Sequence, residues 1–144
     1  MISRYEALTS LVTKISKEIS KISATEMRRY KLRGPAAKYL LIMKEHGSPL
    51  TSVKLSRLSG RDKAEVSRAV GDLLERGLLT QTAGARYRAK LSLTTEGVEV
   101  AEDLSRRAYS IIEYVGKDIT DSEREILYKS LESISNNLKS LNVE

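Results

Sequence analysis

Apolar and polar positions alternate along this chain in two rhythms, and the places where the rhythm changes divide it into elements. From residue 2 to about residue 27, Tyr5, Leu8, Val12, Ile15, Ile19 and Ile22 recur at alternating steps of three and four. This is the spacing of a coiled-coil seam on a long helix, and Leu11 widens the stripe. A second helix is predicted from Gly34-Pro35 to Gly47, with Pro35 in the first turn and Tyr39, Leu40, Ile42 and Met43 as its apolar positions. Ser48 to Thr51 reads as a turn. Thr51 caps a short helix through about Ser59, with Val53, Leu55 and Leu58 on its inner side. Ser59-Gly60-Arg61 then turns into a helix whose ends are both marked. Asp62 caps its start, Glu65 is placed to complete a capping box, and Gly77 supplies a left-handed residue at its end. Val66, Val70, Leu73 and Leu74 form its stripe. Two short helices joined by a tight turn containing glycine make a helix-turn-helix.

The rhythm changes to period two after this helix. Leu78 to Thr82 has strand character, Ala83-Gly84-Ala85 reverses the chain, and Arg86 to Leu93 alternates. Tyr87, Ala89, Leu91 and Leu93 share one face of that strand, and Arg86, Arg88, Lys90 and Ser92 the other. Helical spacing returns from Thr94. Ala101, Leu104, Ala108, Ile111 and Val115 form one seam, which Gly116 ends. Thr120-Asp121-Ser122-Glu123 is a capping box for a last helix with the seam Leu127, Leu131, Ile134, Leu138 and Leu141. The expected fold is mainly α with a small β-hairpin: a winged helix-turn-helix over residues 34–94, flanked by helical segments 1–30 and 95–144, in one domain of 144 residues. The terminal seams need a covering surface, which the chain's other terminal helices, a second copy, or both can supply.

Charge locates the candidate chemistry. The net formal charge is +6, but residues 28–90 hold 15 Lys/Arg against 5 Asp/Glu, a net of +10, whereas the rest carries a net of −4. A basic middle between acidic flanks places polyanion binding in the middle. On the second helix of the helix-turn-helix, burial of the stripe leaves Lys63, Ala64, Ser67 and Arg68 facing outward near the N-terminus, as a major-groove reader requires. A solvated surface face would share this pattern. Arg68 is long enough to reach a guanine edge or a phosphate, and Glu65 is assigned to the cap. Thr51 and Arg61 lie at the periphery of the motif, and Arg86, Arg88 and Lys90 line the exposed side of the hairpin.

Other chemistries find little support in the sequence. There is no cysteine, hence no disulfide, thiolate metal site or cysteine nucleophile. The single histidine, His46, has no cluster of further ligands, and no glycine-rich phosphate loop is present. No cofactor, no bound metal and no enzymatic activity are expected. Neither a signal-peptide core nor a membrane-length apolar run is seen, so no membrane partner is expected.

The order of parts resembles the MarR (multiple-antibiotic-resistance regulator) family of bacterial and archaeal transcription factors. The residues that carry the resemblance are Leu50-Thr51 before a short helix, Asp62-Lys63-Ala64-Glu65-Val66-Ser67-Arg68, Leu74-Glu75-Arg76-Gly77-Leu78, and the wing strand running into Leu93-Thr94-Thr95-Glu96-Gly97. It extends over nearly the whole chain. The resemblance implies a cytoplasmic prokaryotic regulator, often a repressor relieved by a small organic effector. It implies a homodimer intertwined through its terminal helices, here Leu8, Val12, Ile15, Ile19, Ile111, Val115, Leu131, Ile134 and Leu138, with two winged helices straddling a pseudo-palindrome in double-stranded DNA. An effector pocket would lie between the DNA-binding lobe and the dimer helices, with Tyr30 and Tyr39 as candidate lining. Many members carry Asp-x-Arg at the wing. Here the stretch is Ala85-Arg86-Tyr87, which leaves both Arg86 and Arg88 as candidates for the minor groove. The alternative in another class is a winged-helix scaffold that binds protein rather than DNA.

Overall fold

In the computed structural model, which describes residues 2–33, 35–47, 49–84 and 88–141, the described residues form six helices and one three-stranded sheet. Arg86 and Tyr87 of the expected wing strand lie outside the described residues. The chain divides into two compact units, Met1–Ser105 and Arg106–Glu144. The division falls within one helix rather than at a linker.

In the first unit, α1 spans Arg4–Arg29 and opens with a capping box between Ser3 and Glu6. It runs two residues beyond its expected end. Its seam is exposed on this chain: Ile15 and Ile19 each keep 57% of their surface, and Met27, near the C-terminal end, is its one buried residue. Helix α2 (Ala36–His46) starts one residue later than expected. Pro35 is its N-cap rather than part of its first turn, and Gly47 closes it in the left-handed conformation. Strand β1 (Leu50–Thr51) replaces part of the expected turn. Nothing local signals it, because it exists through pairing with a distant strand. Helix α3 (Ser52–Ser59) is capped by Thr51, whose side chain accepts from the Lys54 N–H. Its buried residues are Leu55 and Ser59, one turn apart, whereas Leu58, expected inside, is exposed. Eight residues give this helix a narrow inner face, and Leu58 is rotated off it.

Helix α4 (Lys63–Glu75) buries Val66, Ala69, Val70 and Leu73 against α2 and α3. At about 1.5–3 kcal/mol for each large aliphatic side chain, this stripe outweighs any surface contact in setting the rotation of the helix. Asp62 caps it, accepting from the Glu65 N–H at 2.8 Å. The expected box is only half made, for the Glu65 carboxylate pairs instead with Arg61, at 3.5 Å. Strands β2 (Leu79–Gln81) and β3 (Lys90–Leu93) follow, and the sheet order is β1-β3-β2, antiparallel throughout. Strand β3 is shorter than expected, yet the period-two burial persists ahead of it: Ala89 and Leu91 are buried, Arg88 and Lys90 exposed.

Helix α5 (Thr95–Val115) begins in the first unit and ends in the second. Its first turn is held by Thr94, whose hydroxyl accepts from the Gly97 N–H (2.9 Å) and donates to the Gly77 carbonyl (2.7 Å). In the second unit, α6 (Asp121–Ser140) opens with the expected Thr120–Glu123 capping box. The Thr120 backbone N–H, and then its hydroxyl, hold the Glu123 carboxyl below the usual carboxylate range. Arg124 reaches back to the Gly116 carbonyl at 3.4 Å. No residue of α6 is buried, and Leu131, Leu138 and Leu141 are exposed. Among the described residues, no helix is long and apolar enough to cross a membrane, and no three His, Cys, Asp or Glu side chains group to hold a metal.

Candidate nucleic-acid interface

The turn between α3 and α4 is built from short polar contacts. Gly60 takes a positive φ of 69°, which a side chain would strain. Ser56 Oγ donates to the Arg61 carbonyl (2.6 Å), and Ser59 Oγ accepts from the Arg61 N–H (3.3 Å). From α2, Lys38 Nζ donates to the Ser59 carbonyl at 2.9 Å, placing a cation at the C-terminal end of α3, where the helix dipole favours it. The two helices are therefore fixed at their junction as well as through their apolar faces.

That rigidity determines what α4 presents. With Val66, Val70 and Leu73 inside, Lys63, Ala64 and Arg68 are exposed and Ser67 is half-buried at the edge of the outward face. The sequence-derived reader residues thus share one surface at the N-terminal half of a helix. The unpaired N–H groups and the dipole of that end add positive potential. Asp62 and Glu65, the acidic groups there, are engaged in the cap and with Arg61. Arg61, in the turn, is exposed and pairs with Glu65 of α4, and the Thr51 hydroxyl oxygen accepts from the Lys54 N–H as the cap of α3.

The sheet brings the wing to the same motif. Register pairs Thr51 with Lys90 and Leu50 with Leu91, so a wing cation sits beside the residue that caps α3. Thr82 closes the base of the wing: its N–H donates to the Lys90 carbonyl (3.0 Å), and its hydroxyl accepts from the Lys90 N–H (2.9 Å). Lys90 and Arg88 are exposed. Two exposed cations on α3, Lys54 and Arg57, were missed by sequence reasoning. Their signal was present: they are three residues apart on the face opposite Leu55 and Ser59.

Of the candidate pocket residues, Tyr39 has no exposed surface and packs beneath the helix-turn-helix. Its hydroxyl faces Ser59 without a well-formed hydrogen bond. Burial pushes its pKa above the ordinary 10.0, assisted by the Glu65 carboxylate and opposed by Arg61. Tyr30 instead donates its hydroxyl to the Asp103 carboxylate of α5. The two tyrosines are thus committed to different neighbours.

Comparison with known proteins agrees with this fold. The IclR helix-turn-helix domain matches residues 36–83, from the start of α2 to just beyond β2. No curated protein sequence matches the chain. Among solved structures, a MarR protein from Peptoclostridium difficile is 24% identical over 96% of this chain and 92% of its own, with a TM-score of 0.79. MepR of S. aureus in complex with DNA is 18% identical over 94% of this chain and 99% of its own, with a TM-score of 0.81. MarR of Staphylococcus aureus in complex with salicylate and kanamycin is 18% identical over 95% and 93%, with a TM-score of 0.79. The chain has the winged-helix fold of the MarR-type regulators.

Proposed function

We propose that this protein is a DNA-binding transcriptional regulator, a repressor that grips a pseudo-palindromic operator as a homodimer in the cytoplasm of a prokaryotic cell. The observation that carries the reading is the presentation of α4. A fully buried stripe forces Lys63, Ala64 and Arg68 outward at a positively polarised helix start, with Lys90 of the wing register-locked to the cap of α3. Such a surface fits a duplex, with α4 in the major groove and the wing on the flanking backbone. The likeness to MepR, solved with DNA, supports the same docking.

The homodimer is supported by apolar seams that the chain itself leaves open. Leu8, Val12, Ile15 and Ile19 on α1, Val115 on α5, and Leu131 and Leu138 on α6 are all exposed, while Ile111 and Ile134 are half-buried. Monomeric proteins rarely leave apolar stripes of this length uncovered. A small organic effector is supported by the likeness to Staphylococcus aureus MarR, solved with salicylate. Tyr39 would line its pocket only if the lobe opened, since it has no accessible surface. The family likeness is to regulators, which fits a binding rather than an enzymatic role.

The test is selection of bound duplexes from a random pool by the purified protein, followed by sequencing. A two-fold symmetric motif is the expected result. Recovery of no enriched motif, with no salt-dependent binding to any duplex, would favour a scaffold that binds protein.

A further inference from the structure

The joint between α1 and the DNA-binding lobe is narrow. Helix α1 has 26 residues, about 39 Å at 1.5 Å per residue, and only Met27 is buried. Its hold on the lobe is therefore concentrated at the last turn. There the chain reverses: Lys31 adopts a positive φ of 56°, costly for a residue other than glycine, and the Leu32 N–H returns to the Met27 carbonyl at 2.8 Å. Arg76 secures this reversal. It stands at the C-terminal cap of α4, and its guanidinium donates Nη1–H to the Tyr30 carbonyl at 3.3 Å and Nη2–H to the Lys31 carbonyl. One side chain thus joins the end of the reader helix to two carbonyls of the turn that ends the long arm. Tyr30 extends the joint, since its hydroxyl is held by Asp103 on α5. Neither the groove contact nor the dimer seam uses Arg76.

We infer that Arg76 is a positioning residue that fixes the angle between the α1 arm and the recognition helix α4, and thereby the half-site spacing that the dimer accepts. This inference rests on the dimeric DNA-binding reading above. The leverage follows from lengths. Helix α4 has 13 residues, about 20 Å, and the clasp is at the end remote from Lys63. A rotation of about 10° about the clasp displaces the reading end by about 3 Å, roughly one base-pair step where a full turn of about 34 Å separates half-sites. Burial of Val66, Val70 and Leu73 holds α4 within the lobe, so loss of the clasp frees the lobe against the arm rather than α4 within the lobe.

The experiment uses the full-length protein and duplexes recovered by the selection described above. The two half-sites are moved apart and together in single base-pair steps, and an isolated half-site serves as the control. The parent should prefer one spacing by about tenfold or more over its neighbours, as for a mismatched position. In Arg76→Ala the preference should fall to within about threefold, with affinity for the isolated half-site and dimer mass unchanged. Arg76→Lys should restore part of the preference, because an ammonium can reach one carbonyl but not both. If Arg76→Ala does not fold, Arg76→Gln, an uncharged side chain that ends about where the arginine Nε lies and lacks the fork that reaches the two carbonyls, takes its place in the same comparison. A folded, dimeric Arg76→Ala or Arg76→Gln with the parent's spacing profile overturns the inference, as does a loss of half-site affinity equal to the loss on the full operator. A parent that binds no duplex overturns the DNA-binding reading itself.

Discussion

Gly97, in the first turn of α5, packs its α-carbon directly against the backbone carbonyl of Leu78, so that a β-carbon there would overlap the Leu78 oxygen. The Thr94 hydroxyl, shared between the Gly97 N–H and the Gly77 carbonyl, holds the two segments at that separation. The sign of Gly97→Ala follows from two opposed magnitudes. Helix propensity favours alanine by about 1 kcal/mol. Overlap with fixed backbone costs about 1–3 kcal/mol or more and cannot relax through a side chain. Gly97→Ala should therefore destabilise, lowering the urea midpoint, whereas an unobstructed helical glycine would give the opposite shift.

Tyr39 leads to a pH prediction. Its folded-state pKa is raised above 10.0 by burial, so the folded protein keeps the phenol protonated where the unfolded chain ionises. The unfolded state then binds fewer protons, and stability falls as pH rises past about 10. Tyr39→Phe removes this alkaline loss along with a buried hydroxyl that lacks a well-formed partner. It should be neutral or stabilising by up to about 1 kcal/mol at pH 7, with its advantage over the parent growing above pH 10. Denaturant titrations at pH 7 and above pH 10 measure both.

The architecture was legible because most of its elements carry local marks. The apolar periods distinguish helix from strand, Asp62, Thr51 and Thr120 do cap helices, and Gly77 takes its expected positive φ, as do Gly47, which ends α2, and Gly60, in the tight turn. Some of the remainder depends on partners far along the chain. Strand β1 has two residues and exists only through Leu91 and Lys90, about forty positions on. The Arg76 clasp closes on carbonyls 45 and 46 positions earlier, and backbone acceptors leave no trace in sequence. Glu65 could satisfy either a box or Arg61, and spacing allowed both. The Ser3–Glu6 box, by contrast, is local and carries its Ser-x-x-Glu mark in the sequence. Of the proposed interface, the outward face of α4 followed from its stripe, whereas Lys54 and Arg57 were overshadowed by the stronger helix that follows.

The arms give a third prediction. Ile15→Asp combined with Ile134→Asp should abolish the dimer or unfold the protein, because each would bring an unpaired carboxylate into an apolar seam. Light scattering at micromolar concentration reads the result. A monomeric parent under those conditions would contradict the homodimer.

The wing gives a fourth. Arg88→Ala and Lys90→Ala should each weaken binding to most duplexes alike and reduce the slope of log affinity against log salt by about one. Arg86, outside the described residues, is to be replaced in parallel, as the other candidate for an A·T-rich minor groove with its enhanced negative potential. Unchanged salt slopes in all three variants would remove the wing from the interface.

The central claim is that α4 reads DNA, and the most direct measurement is duplex affinity of Lys63→Ala, Ser67→Ala and Arg68→Ala on the selected operator and its single-base variants, between about 50 and 200 mM salt. If Arg68 contacts guanine, its loss should cost about 1–3 kcal/mol and relax specificity at one position in each half-site. If it holds phosphate, the loss should be uniform across sequences with a smaller salt slope. Lys63→Ala should weaken binding in one of these two ways. All three variants binding every duplex as the parent does would contradict the account, for α4 would then not be the reader.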